Sequence, residues 1–232
     1  MDLNLNKYTA ISAIFCLCSF MLVRFTDSAI LSVFLKINHI NFDFSIFKVT
    51  YLTGGQGNWT EGKVIFIYTL PYLMFALAGI FLPHILRRRN NIFLQMAITW
   101  LSFQMVLIVL AGLVSGIFEF QGIGVAMEWL LVNMPVKIFT SLFLLMLIYF
   151  SVRRFGWYFL RKVPHRSLHD DLDQRRRWLN HVVLYPFLIS FAFIFPFAGI
   201  DTWLNFVSSF ITGLIFILVI YKMIPLVYIP LN

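Results

Sequence analysis

Apolar residues fill this chain in long runs, and the few polar breaks between them set its organisation. A helix that crosses the hydrocarbon core of a bilayer needs roughly 20 mostly apolar residues. Runs of that kind extend from Tyr8 to Leu35, Val64 to Leu86, Ile92 to Ile117, Val125 or Pro135 to Val152, His181 to Ile200, and Leu204 to Ile224. The pattern predicts an all-α polytopic membrane protein with about six transmembrane helices, five and seven being the neighbouring counts. Residues 38–63 form the longest connection. There Phe42, Phe44 and Ile46 alternate with Asp43, Ser45 and Phe47, ahead of Val49, Tyr51 and the turn signal Gly54-Gly55-Gln56-Gly57. Period-two alternation with aromatic and β-branched residues predicts a short strand or hairpin on the membrane surface, the alternative being a disordered loop.

Composition supports the same solvent assignment. Hydrophobic residues make up 60% of the chain and charged ones 12%, against about 45–50% and about 25% in soluble domains. That balance excludes an ordinary water-soluble enzyme, and it excludes a disordered chain, which lacks apolar residues rather than having an excess. Residues 1–232 therefore read as a single integral membrane domain. The chain's start offers no convincing cleavage signal, so the first run is expected to stay as an anchor. Cys16 and Cys18 share one apolar run and provide neither a disulfide framework nor metal-ligand spacing.

The net charge of +8 acquires meaning from where the cations fall. With both termini in the cytoplasm, thirteen Lys and Arg lie on the inner side: Lys7, Arg87, Arg88, Arg89, Arg153, Arg154, Arg161, Lys162, Arg166, Arg175, Arg176, Arg177 and Lys222. Only Lys36, Lys48, Lys63 and Lys137 fall outside, with Arg24 inside the first run. Cytoplasmic loops are enriched in such cations, so both termini are expected inside, at a bacterial cytoplasmic (inner) membrane. Trp59, Trp129, Trp157, Trp178 and Trp203 stand near the expected boundaries, where amphipathic rings settle at headgroup level.

Residues 153–180 form the main cytoplasmic loop. It opens with Arg153-Arg154-Phe155-Gly156-Trp157-Tyr158, a mixture suited to anionic headgroups. Further on, Asp171 with Arg175 and Asp173 with Arg177 have the i,i+4 spacing of helical ion pairs. The stretch reads as a surface helix, or as a docking site for a cytoplasmic partner at 165–180; interleaved acids argue against nucleic acid. Outside, Asn58-Trp59-Thr60 has the form of a glycosylation acceptor.

Ionisable residues at membrane depth are the ligand or ion candidates, because a charge there costs at least about 2.5–3.5 kcal/mol. Arg24 and Asp27 share a helix face as a local ion pair or an ion relay. Glu128 follows Gln121-Gly122-Ile123-Gly124, and Lys137 follows Asn133 and Pro135. This region reads as a structural polar network, a ligand or ion site, or a catalytic site, with Pro135 able to break the helix. No zincin motif, nucleophile elbow or phosphate loop occurs, so no catalytic residue, metal ligand or cofactor is assigned.

One resemblance rests on the order of an apolar first helix, a strand-rich stretch ending in Gly54-Gly55-Gln56-Gly57, and Tyr68-Thr69-Leu70-Pro71-Tyr72 in the next helix. Over about its first 140 residues the chain resembles the intramembrane site-2 metalloprotease class, and Asn133-Met134-Pro135 is similar to that class's Asn-x-x-Pro region. The resemblance implies a protease-like scaffold without its metal: Thr26-Asp27-Ser28-Ala29-Ile30 occupies the zinc-motif position with neither His nor Glu, and Asn133 and Pro135 are one residue too close. The expected function is that of a non-enzymatic accessory or assembly subunit, embedded in lipid beside other membrane subunits. The alternatives are a small transporter or channel component using Asp27 and Glu128, and an intramembrane hydrolase.

Overall fold

The computed structural model describes residues 5–44, 49–51, 60–85, 91–118, 126–127, 133–140, 142–143, 146, 150, 155, 159, 172–197 and 203–223. Glu128, Arg87, Arg88, Arg89, Arg153, Arg154, Asn58, the turn at 54–57 and most of the fourth apolar run lie outside the described residues.

The architecture is helical. Helix α1 runs Leu5–Ile37, α2 Glu61–Ile85 and α3 Ile92–Phe118. Among the described residues, four helical stretches are long and apolar enough to cross a membrane: Leu5–Ile37, Glu61–Pro83, Ile92–Leu113 and Leu172–Ile194; Phe206–Lys222 is a shorter apolar helix. The last of the four combines α4 (Leu172–Leu179), a π-helical segment Asn180–Leu184 and α5 (Tyr185–Ile194), followed by a 3-10 turn Phe195–Phe197. Helix α6 spans Trp203–Met223. The charge-rich segment ahead of His181 is thus continuous with the helix behind it, and Trp178 and Leu179 are buried in the core instead of lying on a solvated face.

Helix α1 has 33 residues, about 50 Å at 1.5 Å per residue, so it exceeds the about 30 Å hydrocarbon core. Its end is a Schellman arrangement. The Ile40 amide donates to Leu35 O at 2.9 Å and the His39 amide to Lys36 O at 3.1 Å, with His39 at φ 56°. Leu35 and Ile40 then pack together, as that motif favours. Beyond it, β1 (Phe42–Phe44) and β2 (Val49–Tyr51) pair antiparallel, Phe42 opposite Tyr51 and Phe44 opposite Val49. Val49 joins Leu35, Ile40 and Ile67 of α2 in a small apolar cluster that seats the strands on the helix ends.

The main core lies between α1, α3, α5 and α6, with Phe155 and Phe159 inserted. Phe103 is its hub: ring centroids of Trp100, Phe155, Phe187 and Phe216 stand 5.4, 6.1, 6.3 and 4.9 Å away, all near edge-to-face. Aromatic rings prefer this geometry and hold it without polar partners, which gives the abundant Phe a structural use. Between lipid-solvated helices, association depends on packing and hydrogen bonding, not on release of water. Close approach is therefore needed, and Gly213 of α6 supplies it where the Phe187 ring of α5 packs into the space a Cβ would take.

Candidate functional site

The inward face of α1 carries buried Ser12, Cys16, Ser19, Val23 and Ser28 at steps of three to five residues, with Phe20 beside Ser19. Small polar side chains along one stripe let neighbouring backbones come near and offer hydrogen bonds across helices. Three layers of such contacts follow one another up the bundle.

In the first layer, Trp100 Nε1 donates to Ser12 Oγ at 2.7 Å, and Ser12 Oγ donates to Val182 O at 2.6 Å. A single hydroxyl thereby joins α1, α3 and the π-segment. The π-segment is where this is possible: the Tyr185 amide reaches back to Asn180 O, and Pro186 has no amide to give Val182 O, which serves a side chain instead. Its neighbours are held as well, His181 Nδ1 to Thr9 Oγ1 at 2.9 Å and Asn180 Oδ1 to the Tyr221 hydroxyl. In the second layer, Gln104 Nε2 donates to Cys16 Sγ at 3.4 Å and Ser190 Oγ to Ala13 O at 3.2 Å.

The third layer contains the ionisable candidates. Arg24 Nη2 donates to Ser209 Oγ of α6 at 3.2 Å, and the guanidinium carbon stands 5.6 Å from the Phe20 ring centroid. A cation over an aromatic face is attracted by its quadrupole, more strongly when water is excluded. Part of the Arg24 charge is thus answered across the bundle, beyond what Asp27 offers along the helix. Asp27 lies within electrostatic reach of Arg24, and Tyr72 of α2 within reach of both. The Tyr72 ring is fixed against Gly112 of α3, where a Cβ would collide with it. Beside Arg24 is a cavity of about 10 Å³ with Gln104 and Ser209 as polar walls and Phe20, Leu107 and Ile108 as apolar ones. That is room for about one water molecule.

The structure brings Arg24 and Asp27 into one polar cluster. Lys137 is half-buried in helical residues 134–140, does not line the Arg24 cavity, and has exposed Val136, Ile138 and Phe139 around it. On α4, Asp173 meets Arg176 at 3.7 Å, the i,i+3 neighbour, where Arg177 is the i,i+4 partner expected from spacing. Among the described residues no three His, Cys, Asp or Glu are grouped so as to hold a metal ion. Ser12, Gln104, Ser190 and Ser209 escape a reading based on charge; their signal is a polar residue inside an apolar run, repeated at helical spacing in α1. Comparison with family models, curated protein sequences and solved structures finds no match to this chain.

Proposed function

We propose that this chain is a non-enzymatic integral membrane protein, an accessory or assembly subunit of a larger bilayer complex. In this reading it has about six spans, a surface hairpin between the first two, and both termini on the cytoplasmic side of an inner membrane. The observation that carries it is the use made of Arg24: the guanidinium is bonded across to Ser209 of α6. An intramembrane arginine used this way joins helices. Exposed apolar side chains at Met134, Ile138, Phe139, Leu142 and Phe143 are available to lipid or to the helices of other subunits.

A second reading, a small transporter or channel component, is favoured by the meeting of Arg24, Asp27 and Tyr72 at membrane depth. The two separate experimentally. Chemical cross-linking in intact membranes followed by mild solubilisation gives a particle larger than the 27.1 kDa chain under the first reading. Asp27→Asn and Glu128→Gln then leave that particle intact and cells without a transport defect. A monodisperse single chain contradicts the first reading; an intact particle with lost transport favours the second. Stoichiometric bound zinc would favour the intramembrane hydrolase and the protease-like scaffold.

A further inference from the structure

Five cationic side chains that are far apart in sequence are gathered by the fold at one end of the bundle. Lys7 precedes Tyr8 on α1, and the Tyr8 ring lies 5.3 Å from that of Trp178 on α4 and 6.2 Å from that of Phe93 on α3. Arg175 stands one turn before Trp178, with Arg176 and Arg177 between them. Lys222 follows Tyr221, whose hydroxyl bonds Asn180 where α4 passes into the π-segment. Contacts among Tyr8, Phe93, Trp178, Asn180 and Tyr221 thus place the starts of α1 and α3, the junction of α4 with the π-segment and the finish of α6 side by side. At the same end, Phe93 and Leu94 are exposed in the first turn of α3.

We propose that this end of the bundle binds anionic phospholipid. Lys7, Arg175, Arg176, Arg177 and Lys222 together supply the positive field that holds the phosphodiester near Tyr8, and an acyl chain lies along Phe93 and Leu94. The combination points to lipid and away from an acidic peptide or nucleic acid. Cations next in sequence to clustered aromatic rings, with apolar Phe93 and Leu94 exposed at the same helix ends, match the mixture of headgroup and acyl surface that a phospholipid presents. Basic pockets between helix ends recognise headgroups by this chemistry, and several cations acting together distinguish a net negative headgroup from a zwitterionic one. The inference concerns one end of the bundle and is independent of the subunit reading.

The test uses the purified full chain in neutral detergent. Thermal unfolding is followed while phosphatidylglycerol, phosphatidylcholine with the same acyl chains, or inorganic phosphate is added, and lipid adducts are counted by native mass spectrometry. Phosphatidylglycerol is expected to raise the unfolding temperature and persist as an adduct, phosphatidylcholine and phosphate to do neither. The variant Lys7→Gln, Arg176→Gln, Arg177→Gln, Lys222→Gln changes exposed side chains only and is expected to lose both effects. Raising ionic strength on the unaltered chain is expected to weaken the shift, which keeps the test decisive if the variant does not fold. Equal effects of phosphatidylcholine, an equal effect of phosphate without acyl chains, or a shift indifferent to both the variant and salt would overturn the proposal.

Discussion

Two buried serines, Ser12 and Ser102, separate polar groups that hold this bundle from those that merely sit in it. Ser12 Oγ accepts from Trp100 and donates to Val182 O, whereas Ser102 Oγ is buried without a hydrogen-bond partner among the described residues. Removing a hydroxyl that serves two buried groups leaves both unsatisfied, at a cost of about 1–3 kcal/mol. Ser12→Ala should therefore destabilise by that amount in reversible denaturant unfolding from mixed micelles, while Ser102→Ala should cost nothing or stabilise slightly. Equal losses in the two variants would contradict the relay. Charge alone identifies Arg24 and Asp27 in the sequence, because ionisable residues are rare in apolar runs. Ser12, Gln104 and Ser209 are not legible that way: they are uncharged, and only the packing reveals which polar residues of a spanning helix face a partner.

At the scale of elements, hydrophobic run length does most of the work. The runs Tyr8–Leu35, Val64–Leu86 and Ile92–Ile117 correspond to α1, α2 and α3 within a few residues, since a spanning helix must be apolar throughout and polar residues mark its ends. The π-segment is nearly illegible for the complementary reason. Val182, Val183 and Leu184 continue the apolar pattern unchanged while the hydrogen bonding alters, and the one signal in residue type is Pro186, which has no amide for Val182 O. The join of α4 to it is obscured by Arg175, Arg176 and Arg177, whose charge disguises the buried Trp178 and Leu179 that follow. The finish of α1 offers a direct check. His39 holds a left-handed conformation that glycine adopts without steric cost, so His39→Gly should stabilise by up to about 1 kcal/mol, measured by the same unfolding assay. A loss of stability would show that the His39 side chain matters more than its backbone. At the α5–α6 contact the sign reverses. Gly213→Leu forces a side chain into the Phe187 ring, and overpacking of this kind costs about 1–3 kcal/mol, visible as a lowered unfolding temperature.

For the whole molecule, one stripe of small polar residues on α1 organises the layers, and the ring cluster around Phe103 fills the space between α3, α5 and α6. Apolar side chains then remain on the outside as well: Leu73, Leu77 and Phe81 on α2 and Ile211, Ile215 and Leu218 on α6 are all exposed at helical spacing. In water such faces would be an aggregation hazard; in hydrocarbon they are ordinary solvent contacts. This dependence on the surroundings is the central claim, and spin-label accessibility tests it most directly. Single nitroxides at positions 73, 77, 211 and 218, in the full chain reconstituted into bilayers, should collide readily with dissolved oxygen and hardly at all with a water-soluble nickel chelate. Labels at positions 7 and 176 should show the opposite preference. Nickel accessibility at 73 and 218 equal to that at 176 would place those faces in water and contradict the account.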